Sequence, residues 1–182
     1  MISGLIPHRY AMALYKYAKK TDSQQPIYEA MKSVLAAYSE NKDLQKTLSN
    51  PYVKGEDKRK VLDGLCQAKP DSPFDRFVQL VLDHKREEFF QLMALAYRDI
   101  YRKENNISQV RIVTAAEIPD TEMKRLHDVV EKSFPKSKFE YEHKVDPEVI
   151  GGFVIDVDST RMDASISGEL QQLRQNLLTG NN

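Results

Sequence analysis

Three carboxylates, Asp156, Asp158 and Asp163, fall close together near the C-terminus. Oxygen ligands at such spacing could bind a divalent cation, but calcium needs more oxygens and a tuned loop. The stretch reads instead as a solvated hairpin edge, where charge discourages unwanted strand pairing. The four histidines, His8, His84, His127 and His143, lack metal-ligand spacing, and none forms a His-Glu-x-x-His turn. Cys66 is the only cysteine, which excludes an intramolecular disulfide and cannot complete a zinc site. In the run Val61-Leu62-Asp63-Gly64-Leu65-Cys66 it reads as a buried small hydrophobe rather than a nucleophile. Ser165, just before Ile166, reads as a helix cap; no histidine lies nearby in sequence to activate it. The seven glycines are scattered and form no phosphate-cradling loop. Gly151-Gly152 stands between a proline turn and a strand. The requirement there is one of backbone: a bend, a bulge or the close approach of another chain. No catalytic residue, metal or cofactor is expected.

The elements that must position these residues fall into two groups. Residues 8–20 are apolar at Tyr10, Ala11, Ala13, Leu14, Tyr15, Tyr17 and Ala18, more than one face of a helix. Ile27, Met31, Val34, Leu35 and Tyr38 stripe a second helix over 26–39. Leu44 and Leu48 make a short third helix that Asn50-Pro51 stops. A fourth spans 56–66 with Val61, Leu62 and Leu65 inward. Pro70-Asp71-Ser72-Pro73 breaks the pattern, and Asp71 or Ser72 can cap the next helix. That helix carries Phe74, Phe77, Val78, Val81 and Leu82. A long sixth helix runs from Glu87 to Glu104, with Phe89, Leu92, Met93, Ala96, Tyr97 and Ile100 on one face, and Asn105-Asn106 as a left-handed stop.

Beyond Asn106 the period changes. Ile107 to Thr114 alternates as a strand, and a helix opens at Asp120 as its cap, with Met123, Leu126, Val129 and Val130 apolar. Phe139, Tyr141, His143 and Val145 mark a half-buried strand. Phe153, Ile155 and Val157 mark another, with Ser159-Thr160 as hairpin tip and Arg161–Ala164 as the return. Ile166, Leu170, Leu173 and Leu177 stripe a closing helix. The expectation is mostly α: a six-helix bundle over 1–105 and a small α+β domain over 106–182, ordered β-α-β-β-β-α.

The totals narrow the function. Lys+Arg and Asp+Glu are both 27, so the chain lacks the basic excess of a dedicated nucleic-acid binder. Residues 1–104 carry 18 basic and 14 acidic side chains, and the remainder the reverse imbalance, which suggests modules with different partners. No apolar run is long enough to span a bilayer, and the N-terminus shows no signal or transit pattern. A soluble protein is expected, reaching a membrane only through a partner. The first helix leaves two readings open. All its apolar residues pack in the bundle, or Tyr10, Leu14 and Tyr17 line a groove for a partner's amphipathic helix.

Four segments resemble one family. Pro7-His8-Arg9-Tyr10-Ala11-Met12-Ala13-Leu14-Tyr15 is similar to the opening helix of the delta subunit of bacterial F-type ATP synthase, the mitochondrial oligomycin-sensitivity-conferring protein. Asn50-Pro51-Tyr52-Val53 with Lys58-Arg59-Lys60-Val61-Leu62, and Leu82-Asp83-His84-Lys85-Arg86-Glu87, resemble its helix connections. The most specific match is Asp146-Pro147-Glu148-Val149-Ile150-Gly151-Gly152-Phe153 with Asp163-Ala164-Ser165-Ile166 and Gly168-Glu169-Leu170. Asp156 departs from the family, where a basic residue is common.

The resemblance implies a non-catalytic stator subunit at the cytoplasmic face of the bacterial inner membrane. Its bundle would bind the N-terminal helix of an alpha subunit in a groove between the first and fifth helices, nominating Tyr10, Leu14, Tyr17, Phe77, Val78 and Val81. Leu14→Asp should then weaken that binding without loss of helicity. Its C-terminal domain would bind the ends of the stalk's b subunits. Asp146, Pro147, Gly151, Gly152, Phe153, Asp163, Ala164 and Ser165 would form the structural motif of that domain. The rival expectation is a cytoplasmic regulatory adaptor with a helical partner-binding domain and a small ligand-sensing domain. A third is a hydrolase.

Overall fold

Local chemistry sets the helix ends of the computed structural model, which describes residues 4–41, 43–50, 52–66, 71–135 and 138–179. Pro51, Pro70, the side chains of Leu65 and Cys66, and the Gly180–Asn182 tail lie outside the described residues. The chain divides into two units, Met1–Glu104 and Asn105–Asn182.

The first unit contains α1 (Leu5–Lys20), α2 (Gln24–Glu40), α3 (Asp43–Ser49), α4 (Gly55–Cys66), α5 (Pro73–Asp83) and α6 (Phe90–Glu104). A 3-10 turn, Glu87–Phe89, leads into α6 where the sequence suggested continuous α-helix. Ser72 caps α5: its Oγ accepts from the Asp75 N–H at 3.2 Å, and Pro73 occupies the first turn, where no N–H is missed. At the other end Lys85 takes a positive φ of 54°. The Lys85 N–H then donates to the Leu82 carbonyl at 2.9 Å and the Arg86 N–H to the Val81 carbonyl at 3.0 Å. That pair of bonds is a Schellman ending, formed here without glycine.

Helix α6 packs on both α1 and α2 through one broad face, with Phe90, Met93, Ala94, Ala96, Tyr97 and Ile100 inside. Tyr97 meets Tyr15 edge-on at 6.0 Å, and its hydroxyl donates to the Gln24 carbonyl at 3.1 Å, so the buried O–H is satisfied. On α4, Leu62 is fully buried, but Val61 lies on the exposed side, contrary to the sequence expectation.

The second unit contains β1 (Ile107–Thr114), α7 (Asp120–Ser133), β2 (Lys138–Val145), a 3-10 turn at Pro147–Val149, β3 (Gly152–Val157), β4 (Thr160–Ser165) and α8 (Ile166–Thr179). The sheet order is β2-β1-β3-β4. Strands β1 and β2 are parallel, which requires the α7 crossover; the other pairs are antiparallel. Val110 and Ile112 of β1, Ile155 and Val157 of β3, and Val130 of α7 form the core. Asn106 provides the left-handed stop with φ 52°.

Two local details differ from the sequence expectation. Asp120 is the first residue of α7 rather than its cap; Pro119 flanks the helix, and Asp120 and Glu122 face its positive end. The hairpin tip is Asp158-Ser159, because Asp158 takes the left-handed φ of 50° and Thr160 already pairs with Val157. The apolar stripe of α8 is not covered: Leu170, Leu173 and Leu177 are all more than half exposed.

Candidate partner-binding groove

Between α1 and α5 the packing leaves an open hollow of about 410 Å³. Tyr10, Ala13, Leu14 and Tyr17 line it from α1, and Pro73, Phe77 and Leu80 from α5. Arg9 and Arg76 complete the lining. Tyr17 is 40% exposed and Leu80 45% exposed, so both present surface to the hollow.

Two arginines fix the tyrosines of α1. The Schellman ending of α5 turns Arg86 back over α1, where its Nη1 donates to the Tyr10 hydroxyl at 3.1 Å. The same guanidinium lies over the Tyr10 ring, 5.4 Å from the centroid. Phe77 meets that ring edge-on at 6.4 Å and His84 at 6.5 Å. Further along, Arg76 Nη1 donates to the Tyr17 hydroxyl at 3.3 Å. Each tyrosine of α1 that lines the hollow thus has a guanidinium at its hydroxyl.

Tyr10, Leu14, Tyr17 and Phe77 all lie in this lining. Val78 and Val81 do not: both are fully buried in the bundle core. The reason is that α5 is apolar on two adjoining faces. Phe74, Val78 and Val81 point inward, while Pro73, Phe77 and Leu80 edge the hollow. Leu80 was legible as the residue three after Phe77; Arg76 and Arg86 carried no periodic signal. Leu14 is only 4% exposed, so it serves core and groove together.

The C-terminal motif is a chain of backbone constraints. Asp146 Oδ1 accepts from the Glu148 N–H at 3.2 Å and starts the 3-10 turn with Pro147. Lys144 at 3.1 Å and that N–H hold the Asp146 carboxyl below the usual range. The Gly151 N–H donates back to the Val149 carbonyl at 2.8 Å, closing a γ-turn on Ile150 at φ 67°, ψ −46°. Ile150 is 60% exposed despite this unfavourable backbone for a β-branched residue.

Gly152 opens β3 at φ +73°, and a Cβ there would meet the Ala164 carbonyl oxygen of β4 at 2.1 Å. The close approach comes from the neighbouring strand, and Phe153 pairs with Ala164 in it. Asp163 Oδ1 accepts from the Ser165 hydroxyl at 2.5 Å and its N–H at 3.0 Å, which lowers the carboxyl's pKa. Ser165 Oγ in turn accepts from the Gly168 N–H at 3.0 Å and caps α8.

The other carboxylates of the hairpin are also engaged. Arg161 grips Asp156 at 2.6 and 3.0 Å and depresses its pKa, and Asp158 accepts from the Gln109 N–H at 3.0 Å. Glu142, Arg111, Asp156 and Arg161 stand in register across all four strands, alternating in sign. Among the described residues, no three His, Cys, Asp or Glu side chains are grouped to bind a metal ion.

The family model for the ATP synthase delta (OSCP) subunit matches residues 6–177, across both units. The chain belongs to this family. It is 35% identical to an ATP synthase subunit delta of Parabacteroides distasonis, over 96% of this chain and 97% of the relative. It is 33% identical to the subunit delta of Phocaeicola vulgatus, over 100% of this chain and 98% of that one. Among solved structures, a chain of the Toxoplasma gondii mitochondrial ATP synthase hexamer superposes with a TM-score of 0.73 at 21% identity. That match covers 96% of this chain and 98% of the other, so the two chains share a fold. No helix among the described residues is long and apolar enough to cross a membrane.

Proposed function

We propose that this family member is the stator joint of its ATP synthase and carries no catalysis of its own. The α1–α5 groove takes the amphipathic N-terminal helix of an alpha subunit. The second unit takes the ends of the b subunits, with the exposed α8 stripe as its contact surface. The catalytic head is thereby tied to the peripheral stalk, and rotation of the central shaft is coupled to ATP synthesis. The protein works at the cytoplasmic face of the inner membrane, held there through the complex.

The observation that carries the reading is the open apolar groove with its two arginine-bonded tyrosines, in a chain that matches the family over residues 6–177. Helix-in-groove recognition uses such a surface, with apolar anchors at i, i+3, i+4 and i+7 entering the hollow. Burial contributes roughly 25 cal/mol per Å² before the costs of association. Calorimetry of the full chain with a peptide of the alpha N-terminus tests it. Saturable one-to-one binding, weakened about tenfold or more by Leu80→Asp, is expected. Absence of binding, or a Leu80→Asp chain that binds as well as wild type, would refute the groove's role.

A further inference from the structure

The walls of the groove carry a charge that the chain as a whole lacks. Helix α1 has four basic side chains, Arg9, Lys16, Lys19 and Lys20, and no acidic one. Arg9, Lys16 and Lys20 recur at i, i+7 and i+11, along the Ala13 side of the groove-facing surface. Among the described residues, none of the four has an ion-pair partner. Arg76 adds a cation on the α5 wall, with its side chain 62% exposed.

The acids nearby do not cancel this charge. Asp75 is turned to Arg59 at 2.6 Å and is mostly buried. Asp83 accepts from the neutral Gln79 amide at 2.7 Å and keeps its charge, one anion at the end of the α5 wall. Asp71 comes no closer to Arg76 than 3.8 Å and is 91% exposed. Leaving aside Lys19, which falls about 120° round α1 from Ala13, the two walls hold four basic and two acidic side chains, while the full chain is neutral.

Resting on the groove reading above, we propose that the groove selects an acidic amphipathic helix, one whose apolar face is flanked by Glu or Asp. The apolar lining supplies affinity, and the cationic flank supplies choice of partner and speed of encounter. Rim charges contribute little to affinity when exposed, but they steer association and penalise a like-charged partner. Arg9 and Lys20 are 11 positions apart, about 16 Å along the axis, so a bound helix meets cations along about three turns. The steering is screened over about 10 Å at 0.1 M salt, so it must fade as salt rises.

The test uses the full chain and three helical peptides of about 20 residues that share one Leu/Ile face and differ only in flank: Glu, Gln or Lys. At low salt the Glu peptide should bind about tenfold or more tighter than the Lys peptide, with Gln between them. The gap should close at about 1 M salt. The double charge reversal Arg9→Glu with Arg76→Glu should invert the order, and circular dichroism should show both chains equally folded. If all three peptides bind equally at low salt, the groove stands and the acidic preference is wrong. If none binds, the groove reading fails and takes this inference with it.

Discussion

Arg86 fixes Tyr10 in two ways, donating to its hydroxyl at 3.1 Å and standing over its ring at 5.4 Å. The contact joins residues 76 positions apart and exists because Lys85 accepts a left-handed backbone at the end of α5. Arg86→Met should remove the hydrogen bond and the cation–π contact, at a cost of about 1 kcal/mol. Urea unfolding of the full chain measures the cost, and the same variant should bind the alpha peptide more weakly because Tyr10 is no longer held.

Leu14 and Leu80 line the same hollow but differ in burial, 4% against 45% exposed. Leu80→Asp should leave stability within about 0.5 kcal/mol of wild type and act on binding alone. Leu14→Asp places a charge in the bundle core and should destabilise by several kcal/mol, on the order of 3 or more. The sequence expectation that Leu14→Asp leaves helicity intact is therefore replaced. Thermal melts followed at 222 nm separate the two variants.

Much of the fold was legible because apolar period and turn chemistry agreed. The strand Ile107–Thr114 and the stop at Asn106 appear where the alternation placed them. Boundaries that depend on one backbone angle were less so: the tip moved to Asp158-Ser159, and Asp120 moved inside its helix. Periodicity also marks a face as apolar without saying what covers it. Val78 and Val81 turned out to be core, and the equally regular stripe of α8 turned out to be uncovered. The arginines that orient Tyr10 and Tyr17 reach them across long sequence separations, where no local pattern operates.

Gly152→Val should destabilise the second unit severely. A Cβ would meet the Ala164 carbonyl oxygen at 2.1 Å, and φ +73° is a poor conformation for a β-branched residue. A loss of about 3 kcal/mol or more is expected. Amide exchange should rise across β3 and β4 while α1 to α6 stay protected.

Asp163 gives the second unit an acid-sensitive point. Its folded pKa is depressed by the Ser165 hydroxyl and N–H, so the unfolded chain takes up the proton first. The stabilisation is complete above the ordinary aspartate pKa of about 3.9 and is lost as pH falls through the lower folded value. Asp163→Asn should weaken the unit at neutral pH and reduce this acid sensitivity. Ser165→Ala should cost about 1 kcal/mol through the lost α8 cap. Urea midpoints measured between pH 3 and 7 check both.

The central claim is that one chain bridges head and stalk through two separate surfaces. The direct measurement immobilises a b-subunit fragment and asks whether the catalytic head is retained only when this chain is added. Wild type should retain it. Leu80→Asp should stay on the b fragment but lose the head, and Leu173→Asp should lose the b fragment while still binding the alpha peptide. Retention of the head without the chain, or full bridging by both variants, would contradict the account.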